Sequence, residues 1–476
     1  MHHIYYVGYI LYLFVIVSLV FFDRNKPIQR FNWILVLVFI PVIGLLLYLF
    51  IGSDYYLKYK KRQLLKRYGD SYYALEEAIN VESTQELNDT TMARKFHEKY
   101  CGSMLTADND VMIFTAGSVK FRELFKDLKE AEENIHLFYF TIHNDKLGQE
   151  LINILTEKAL QGVEVKLLYD GLGCFMTLGF GGSLFKKLKE AGGQVIKMRP
   201  HVLDVNYRNH RKIVVIDGKI GYTGGMNVGD QYRYGLMEIP WRDTHIRITG
   251  SAVHGLQYVF LSDWISSLRE PCERLNKTLP NYFPAPEQEG SLAMQIIASG
   301  LYNKFKNDEI IKLSYYNLIS RANKRVWIQT PYFAPSDIIV EALKTLAYLG
   351  VDVRIMTSSY YIFGGLFHQN IANYFLRSLL DSGVRVFNYN GVMHAKTMLV
   401  DDNAVCIGTV NLNGRSLEKD DELYAYVEST EFASIYEGIY YDDLKFCQEH
   451  DYDKFRKQRP LSRAFESVLS FLSPLS

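Results

Sequence analysis

The chain beyond residue 107 consists largely of two copies of one sequence pattern. In each copy a predicted strand is followed by a second strand, then by a helix-like stretch that ends at a glycine, then by a short third strand. Strands that alternate with helices at this rhythm predict α/β units with a mixed, largely parallel sheet flanked by helices. The matching segments, first copy before second, are 134–141 and 324–330, 162–169 and 350–357, and 184–197 and 375–387. Two copies of about 170 residues restrict this region to a duplicated α/β fold.

Five residue types recur at the same spacing in both copies. The first copy has His210, Lys212, Asp217, Gly224 and Asn227, and the second has His394, Lys396, Asp401, Gly408 and Asn411. A histidine and a lysine two residues apart on a strand lie on the same face, because side chains alternate along a strand. Since both matches fall in register with the repeat, chance does not explain them.

Each motif is predicted to form a β-hairpin. The residues between each lysine and aspartate are strand-like, and a turn sequence follows them. With two-residue turns at 218–219 and 402–403, the register pairs His210 with Asn227 and His394 with Asn411. A bulge near the motif glycine would shift this register by one residue.

The motif aspartates are expected to lie far from the motif histidines. Asp217 and Asp401 come seven residues after His210 and His394, which is about 23 Å along a strand. We therefore expect both carboxylates to stabilise a turn or to bond a neighbouring element, although they belong to the motif.

Two runs without a charged residue precede the repeats. Residues 4–22 and 33–51 make runs of 19 residues, about 28 Å each as helices and close to the thickness of a bilayer core. The first run lacks the basic start and the small-residue cleavage site of a signal peptide. The runs therefore predict a two-span transmembrane hairpin in the cell membrane. Three basic residues between the runs and six after them predict a cytoplasmic catalytic body.

These features divide the chain into five predicted parts. They are the transmembrane hairpin at 1–56, a helical connector at 57–106, the first repeat at 107–275, a linker at 276–303 and the second repeat at 304–476.

Composition excludes several classes of protein. The 53 basic and 53 acidic side chains give a net charge of zero, so we expect no nucleic-acid partner. The five cysteines include no CxxC pair, which disfavours a disulfide scaffold and a thiolate zinc site. The sequence has no metal-ligand spacing and no glycine-rich nucleotide-binding loop. We therefore expect no metal and no other cofactor.

The paired motifs resemble those of the phospholipase D superfamily. The two uncharged runs, with Thr-Pro-Tyr-Phe-Ala-Pro at 330–335 and Trp-Arg-Asp-Thr-His at 241–245, resemble its bacterial cardiolipin synthase branch. The resemblance covers essentially the whole chain and implies duplicated phospholipase D-like domains. It departs from the family where a serine often follows the motif glycine, because this chain has Gly225 and Thr409 there.

The resemblance implies catalysis through a phosphohistidine. A phosphodiester is anionic, so two lysines would neutralise it while amide and hydroxyl groups donate hydrogen bonds. The implied nucleophile is His210, with His394 as acid and base, although the symmetry of the motifs leaves this order open. The other implied roles are charge neutralisation by Lys212 and Lys396, phosphate binding by Asn227, Asn411 and Thr409, and orientation of an imidazole by Asp243 and Glu422, each downstream of its motif.

The implied reaction transfers a phosphatidyl group from one phosphatidylglycerol to another and gives cardiolipin and glycerol. The expected partners are phosphatidylglycerol, other anionic phospholipids and the lipid bilayer, and the oligomeric state stays open. The alternative within this fold is a membrane-anchored phospholipase D or nuclease-type phosphodiesterase that hydrolyses its substrate. A catalytically silent lipid-binding scaffold is a third interpretation, which the intact histidines and lysines disfavour.

The last residues predict an amphipathic helix. Its apolar positions recur on one helical face and follow a basic segment. The apolar residues are Leu461, Phe465, Val468, Leu469 and Leu472, and the basic ones are Lys454, Arg456, Lys457, Arg459 and Arg463. Two interpretations stay open: the apolar face packs on the body of the protein, or it lies in an anionic membrane surface.

Overall fold

A computed structural model describes most of the chain. The described residues are 2–22, 27–48, 55–79, 91–178, 183–198, 208–236, 239–269, 271, 273–286, 290–300, 309–359, 365–451, 453, 457, 460–470 and 473. They belong to two compact units, one of residues 1–69 with 199–208 and one of residues 70–198 with 209–476.

Helices occupy both units. They are α1 (His2–Phe22), α2 (Pro27–Phe39), α3 (Pro41–Leu47), α4 (Tyr55–Ala78), α5 (Met92–Cys101), α6 (Gly117–Glu130), α7 (Lys146–Leu160), α8 (Phe175–Leu178), α9 (Lys186–Glu190), α10 (Asp230–Tyr234), α11 (Ala252–Ser267), α12 (Glu273–Thr278), α13 (Ile310–Ile319), α14 (Asp337–Tyr348), α15 (Gly365–Leu380), α16 (Gly414–Glu418), α17 (Thr430–Leu444) and α18 (Pro460–Ser470).

The strands all lie in the second unit. They are β1 (Leu105–Phe114), β2 (Asn134–Tyr139), β3 (Glu164–Asp170), β4 (Gln194–Met198), β5 (Lys212–Ile216), β6 (Ile220–Gly224), β7 (Trp241–Arg242), β8 (His245–Thr249), β9 (Leu292–Ala298), β10 (Arg325–Gln329), β11 (Phe333–Ala334), β12 (Asp352–Ser358), β13 (Arg385–Tyr389), β14 (Val392–Met393), β15 (Thr397–Val400), β16 (Ala404–Gly408), β17 (Leu412–Asn413), β18 (Leu423–Glu428) and β19 (Cys447–Glu449).

Fifteen of these strands form one sheet that contains both repeats. Its order is β19-β13-β12-β10-β15-β16-β18-β9-β1-β8-β6-β5-β2-β3-β4. The order from β13 to β9 matches, strand for strand, the order from β4 to β1 read from the other edge. The duplication predicted from the sequence is thus present, and the antiparallel pair of β1 and β9 joins the two copies. A separate apolar core lies in each copy.

Two sequence predictions about this sheet are wrong. The sheet is mixed, as predicted, but most of its strand pairs are antiparallel rather than parallel, since only β2–β3, β3–β4, β10–β12 and β12–β13 pair in parallel. Each motif hairpin returns through a tight turn, and the only described helix in the connection to the next strand of the sheet is the five-residue α10 or α16, which allows antiparallel pairing. The predicted linker at 276–303 contains β9, which is a strand of the second copy at the centre of the sheet.

The motif hairpins form, but with a register that differs by one residue from the prediction. Ile216 faces Ile220 and Val400 faces Ala404, so three residues make each turn. The reason is the backbone of the motif aspartate. Asp217 has a φ of 53° and Asp401 a φ of 50°. The N–H of Asp217 donates to the carbonyl of Asn134 in β2, and that of Asp401 donates to the carbonyl of Arg325 in β10, so neither donates across its own hairpin.

The amino-terminal unit is helical where it is described. The described part of the predicted run at 33–51, residues 33–48, is divided between α2 and α3, because Pro41 lacks an N–H and interrupts the helix at Ile40. Residues 49–51 lie outside the described residues. None of the described helices has both the length and the apolar character needed to cross a membrane. The two predicted spans therefore stay a prediction.

Candidate active site

Each motif histidine is held by a backbone segment of the other copy. The N–H of His210 donates to the carbonyl of Asp421 over 2.9 Å, and the N–H of His394 donates to the carbonyl of Arg242 over 2.6 Å. Beside these bonds Asn209 bridges to Asp421 in parallel, and β14 pairs in parallel with β7. The predicted pairing of His210 with Asn227 and of His394 with Asn411 is therefore wrong. Instead, the segment that contains each histidine pairs with a segment of the other copy.

This pairing between the copies places each imidazole next to a carboxylate of the other copy. His210 Nδ1 lies 3.0 Å from Glu422 Oε1, and His394 Nδ1 lies 2.6 Å from Asp243 Oδ2. Both predicted carboxylates contact an imidazole, and each belongs to the other repeat than the histidine it contacts. An ionised carboxylate only accepts hydrogen bonds, so Nδ1 of His210 carries the hydrogen. Nδ1 of His394 also lies 3.0 Å from Lys396 Nζ, but the shorter contact with Asp243 assigns the hydrogen to this nitrogen as well. The lone pair of a neutral imidazole is then on Nε2.

The two motif lysines are buried at the base of the site. Lys212 Nζ donates to the carbonyl of His210 over 2.6 Å, and Lys396 Nζ donates to the carbonyl of His394 over 2.5 Å. Burial lowers the pKa of Lys212 to about 7 and that of Lys396 to about 8. The charges of Glu422 and Asp243 oppose this effect at both lysines, whereas repulsion by Lys396 lowers the pKa of Lys212 further. An anion bound beside the lysines would favour their charged forms.

Burial also keeps both imidazoles neutral. It lowers the pKa of His210 and lowers that of His394 to about 4, with Lys396 adding to the shift at His394. Burial alone would raise the pKa of Glu422, but His210 and Lys212 outweigh it and lower the pKa. A bound anion would favour the protonated form of an imidazole beside it. The site can therefore supply one neutral and one protonated imidazole to an anionic substrate.

The motif asparagines differ in their bonding. Asn227 Oδ1 accepts the N–H of Thr141 over 3.2 Å, and Asn227 Nδ2 donates to the hydroxyl of Tyr232 over 2.8 Å. Asn411 Oδ1 is buried and has no hydrogen-bond partner among the described residues. The amide of Asn227 is thus bonded within its own copy, whereas the amide oxygen of Asn411 accepts no hydrogen bond from the described residues.

The residues after the motif glycines also differ. Thr409 Oγ1 donates to Glu422 Oε2 and accepts the N–H of Leu423 over 3.0 Å. The Thr409 hydroxyl therefore supports the carboxylate that contacts His210. Gly225 is the equivalent residue in the first copy, and a Cβ added there would collide with the carboxylate of Asp243.

The motif aspartates lie at the hairpin turns, as the strand argument predicts. Asp217 accepts three backbone N–H groups, from the two residues before β2 and from its first residue, over 2.8 to 2.9 Å. Asp401 accepts backbone N–H groups from the two residues before β10 and from its first residue, over 2.7 to 3.2 Å. Each carboxylate therefore ties the hairpin turn to the next strand of the sheet.

The sequence analysis missed the aromatic residues around the imidazoles. The ring of Phe140 lies 4.9 Å from that of His210, and the rings of Tyr232 and Trp241 lie 5.7 and 5.3 Å from that of His394. Phe140 directly follows β2, and Trp241 begins the segment that carries Asp243. Their position at strand ends next to motif residues is the signal that could have found them.

Two buried arginines, Arg211 and Arg242, stabilise the segments that pair between the copies. Arg211 donates to the carboxylate of Asp263 on α11 over 2.7 Å and to the carbonyl of Glu422 over 3.4 Å. Arg242 Nε donates to Asp443 Oδ1 on α17 over 2.7 Å. Both arginines sit within the motif segments, where a buried cation needs a partner. The described residues contain no group of three or more histidine, cysteine, aspartate or glutamate side chains that could hold a metal ion.

This fold and site define a class of enzyme. Two H-x-K motifs of a duplicated α/β body meet in one site, each imidazole is held by a carboxylate, and two lysines supply positive charge. Such a site suits transfer of a phosphoryl-type group by covalent catalysis on histidine.

Comparisons with known proteins identify the family. The family described as "Cardiolipin synthase, PLD-like domain" matches residues 124–251 and 315–443, and "Phospholipase_D-nuclease N-terminal" matches residues 10–53. The chain is 34% identical to a cardiolipin synthase of Staphylococcus aureus (strain N315) over 98% of this chain and 95% of that protein. It is 35% identical to the major cardiolipin synthase ClsA of Bacillus subtilis (strain 168) over 98% of both. The chain therefore belongs to the cardiolipin synthase family of phospholipase D-like proteins.

A solved structure shows the same fold. The phosphatidylserine synthase of Haemophilus influenzae Rd KW20 superposes with a TM-score of 0.61 at 14% identity, over 81% of this chain and 100% of that one. This likeness concerns the fold alone.

Proposed function

We propose that this chain is a membrane-bound phosphatidyltransferase that converts two molecules of phosphatidylglycerol into cardiolipin and glycerol through a phosphohistidine. The proposal is supported above all by the two contacts between the copies, His210 with Glu422 and His394 with Asp243, which lie beside two buried lysines. The relatives that match 95% or more of their own length are named cardiolipin synthases.

In the first half-reaction His210 Nε2 attacks the phosphorus of one phosphatidylglycerol. The bond from phosphorus to the headgroup glycerol oxygen breaks, and His394, protonated when the anionic substrate is bound, gives its proton to that oxygen. The products are glycerol and a phosphatidyl group bonded to His210. Lys212 and Lys396 balance the negative charge that develops on the phosphate oxygens.

In the second half-reaction His394 acts as a base. It takes the proton from a headgroup hydroxyl of a second phosphatidylglycerol, and the hydroxyl oxygen attacks the phosphorus. The bond from phosphorus to His210 Nε2 breaks, which gives cardiolipin and restores both imidazoles. One phosphodiester replaces another, so the reaction needs no nucleotide.

We also propose roles for the supporting residues. Glu422 and Asp243 keep the hydrogen of each imidazole on Nδ1, so that Nε2 faces the phosphorus. Asn411 donates to a phosphate oxygen through its amide. Thr409 acts on Glu422 rather than on the phosphate, since its hydroxyl already donates to that carboxylate.

The test is a product assay on the purified full chain with phosphatidylglycerol labelled in its headgroup and in its acyl chains. We expect labelled cardiolipin and free glycerol in equal amounts. His394→Ala serves as the inactive control. Phosphatidic acid without cardiolipin would mean that the chain is a hydrolase, and no product at all would reject both activities.

We further propose that the two uncharged runs anchor the chain in the membrane as two spans, with the catalytic body in the cytoplasm. The proposal is supported by their 19-residue length, by the basic residues that follow the second run, and by the family match over residues 10–53. In intact cells an impermeant maleimide should label Asn25→Cys in the loop between the runs, while the native chain stays unlabelled. Labelling of the native cysteines instead would reverse the orientation.

A further inference from the structure

The carboxyl-terminal helix α18 presents its apolar face to solvent. Leu461 is 83% exposed, Phe465 55% and Val468 61%. These residues are spaced by four and three positions, so they share one face of the helix. Leu469 is partly buried, and Leu472, Lys454, Arg456 and Arg459 lie outside the described residues. Within the part of the chain that the structure describes, Leu461, Phe465 and Val468 of the predicted apolar face are therefore exposed and do not pack on the body of the protein.

A polar contact holds α18 to the body instead. Glu466 is only 2% exposed, and its carboxylate accepts from Arg377 Nη2 over 2.6 Å and lies 3.5 Å from Asn373 Nδ2. Glu466 follows Phe465 by one position, so it points to a different side of the helix. An ion pair with a guanidinium is a strong hydrogen bond, and it satisfies a carboxylate that burial would otherwise penalise.

This arrangement is the reverse of an ordinary surface helix. Such a helix buries its apolar stripe and exposes its charged side. A helix whose only role was to stabilise the fold would gain little by leaving three large apolar side chains in water. Contiguous exposed apolar surface instead marks a site of interaction.

The charges near this face select the partner. Lys457 and Arg463 are exposed, and the sequence before the helix contains three more basic residues. An apolar face beside basic residues suits the surface of an anionic bilayer, where acyl chains take up the apolar groups and lipid phosphates attract the cations.

Helix α15, which contacts α18, also extends to residues near the catalytic site of the second copy. Asn373 and Arg377 lie in the later turns of α15, and His368, near its start, has its ring 4.7 Å from that of Tyr332. Tyr332 lies beside β11, which pairs with β17 immediately after Asn411. A membrane contact at α18 is thus linked through one helix to the substrate site.

We propose that α18 is a membrane-docking helix, in which Leu461, Phe465 and Val468 insert among the headgroups of an anionic bilayer while Glu466 fastens the helix to α15. The proposal rests on the proposed function, since it assumes that the substrate is a membrane lipid. Docking lets α15 hold the catalytic site over the layer from which both substrate lipids come.

The test uses the full chain in bilayers, with readouts local to α18 because the amino-terminal helices are also present. The variant is Leu461→Ser with Phe465→Ser and Val468→Ser. The matched control is Leu160→Ser with Leu349→Ser, because these leucines, at the end of α7 and directly after α14, are 72% and 75% exposed. Hydrogen exchange over 460–470 is compared in phosphatidylcholine bilayers with and without phosphatidylglycerol. Turnover is compared for bilayer phosphatidylglycerol and for a short-chain phosphatidylglycerol that stays monomeric.

We expect phosphatidylglycerol bilayers to protect 460–470 in the native chain and in the control, but not in the triple variant. We also expect the triple variant to lose about tenfold in kcat/KM on bilayer substrate, the factor that corresponds to about 1.4 kcal/mol. Its turnover of monomeric substrate should stay within about twofold of the native value, since it changes no group that contacts substrate.

Three results would overturn the proposal. One is unchanged protection and bilayer turnover in the triple variant. Another is loss of thermal stability together with monomer turnover, which would place the face in the core. The third is protection that needs no lipid but follows protein concentration, which would make a second copy of the chain the partner. Absence of cardiolipin from the native chain on both substrates would reject the proposed function alone, because the exchange measurement is independent of turnover.

Discussion

His210 and His394 occupy equivalent places in the two copies, yet their surroundings differ. Glu422, which contacts His210, also accepts the hydroxyl of Thr409. Asp243, which contacts His394, faces the backbone of Gly225 and accepts the N–H of its own neighbour, Thr244. The longer carboxylate thus has a side-chain donor and the shorter one has a glycine. The duplication supplied two similar imidazoles, and the support of each carboxylate makes them unequal.

The asparagines extend this comparison. Asn227 is bonded to Thr141 and Tyr232 inside the first copy, whereas Asn411 Oδ1 has no partner among the described residues. A buried amide oxygen without a partner costs free energy and can be satisfied only by a hydrogen-bond donor. Asn227 is therefore bonded through both its oxygen and its nitrogen, and the oxygen of Asn411 is not bonded within the described residues.

The largest expected effect separates the two histidines. His210→Ala should abolish transfer, with a loss of about 10⁴-fold or more, and should leave no acid-labile phosphoenzyme, because the nucleophile is gone. His394→Ala should lose transfer to a similar degree but retain slow phosphoenzyme formation with a substrate that has a good leaving group, because such a group departs without a proton from His394. The measurement is trapping of labelled lipid on the denatured protein at several times.

A control is the double variant, which should behave as His210→Ala does. If His210→Ala accumulates phosphoenzyme while His394→Ala does not, the two half-sites have the opposite roles.

The exchanged contacts predict which carboxylate acts with which histidine. Glu422→Gln should impair phosphoenzyme formation, and Asp243→Asn should instead impair the steps that need acid or base. The expected losses are about 10²- to 10⁴-fold, since an amide can orient the wrong nitrogen of an imidazole. Single-turnover labelling and the pH profile of kcat/KM distinguish the two. With Glu422→Gln the pKa of His210 falls, so the acidic limb should move to lower pH.

Double variants sharpen this test. Glu422→Gln should cause little further loss of activity in the His210→Ala variant, because both substitutions disable the same pair of His210 and Glu422. If Glu422→Gln instead shows no coupling to His210 and strong coupling to His394, the exchange of carboxylates between copies is wrong.

A smaller effect is expected at the position after each motif glycine. Thr409→Val keeps the side-chain shape but removes a donor to Glu422, so we expect about a tenfold loss of kcat, corresponding to one hydrogen bond to a charged group. Gly225→Ala should cost more in the other half-site, because the new Cβ collides with Asp243. Steady-state kinetics and the melting temperature of both variants check this. Full activity in Gly225→Ala would show that Asp243 can move without consequence.

Local patterns in the sequence were enough to predict much of this molecule. The strand and helix rhythm predicts the duplication, and the spacing of His210, Lys212 and Asp217 predicts a hairpin with its aspartate remote from its histidine. Both properties depend on neighbouring residues and on strand geometry alone. The candidate carboxylates were also recognisable, because each lies a similar distance downstream of a motif.

The pairing of those carboxylates could not be predicted in the same way. His210 and Glu422 are 212 residues apart, and their contact depends on how the two copies face each other across β1 and β9. The strand β9 itself lies in a segment that resembles a linker, and its partner strands are remote in sequence. The hairpin register differs by one residue because Asp217 adopts a positive φ, which few residues other than glycine do.

The smallest expected effect on chemistry is at the motif aspartates, where the two copies should differ in stability. Asp217→Asn replaces one oxygen with an N–H donor that faces three backbone N–H groups, so we expect a loss of about 1–3 kcal/mol in the free energy of unfolding. Asp401→Asn should cost less, because Lys324 and Arg325 also pair with Asp402 and those ion pairs remain. In both variants the folded fraction should keep kcat within about threefold, since neither carboxylate contacts an imidazole. Chemical denaturation gives the two free energies, and active-site titration normalises kcat. A loss of kcat in Asp217→Asn without a loss of stability would mean that the turn acts on the site through β5.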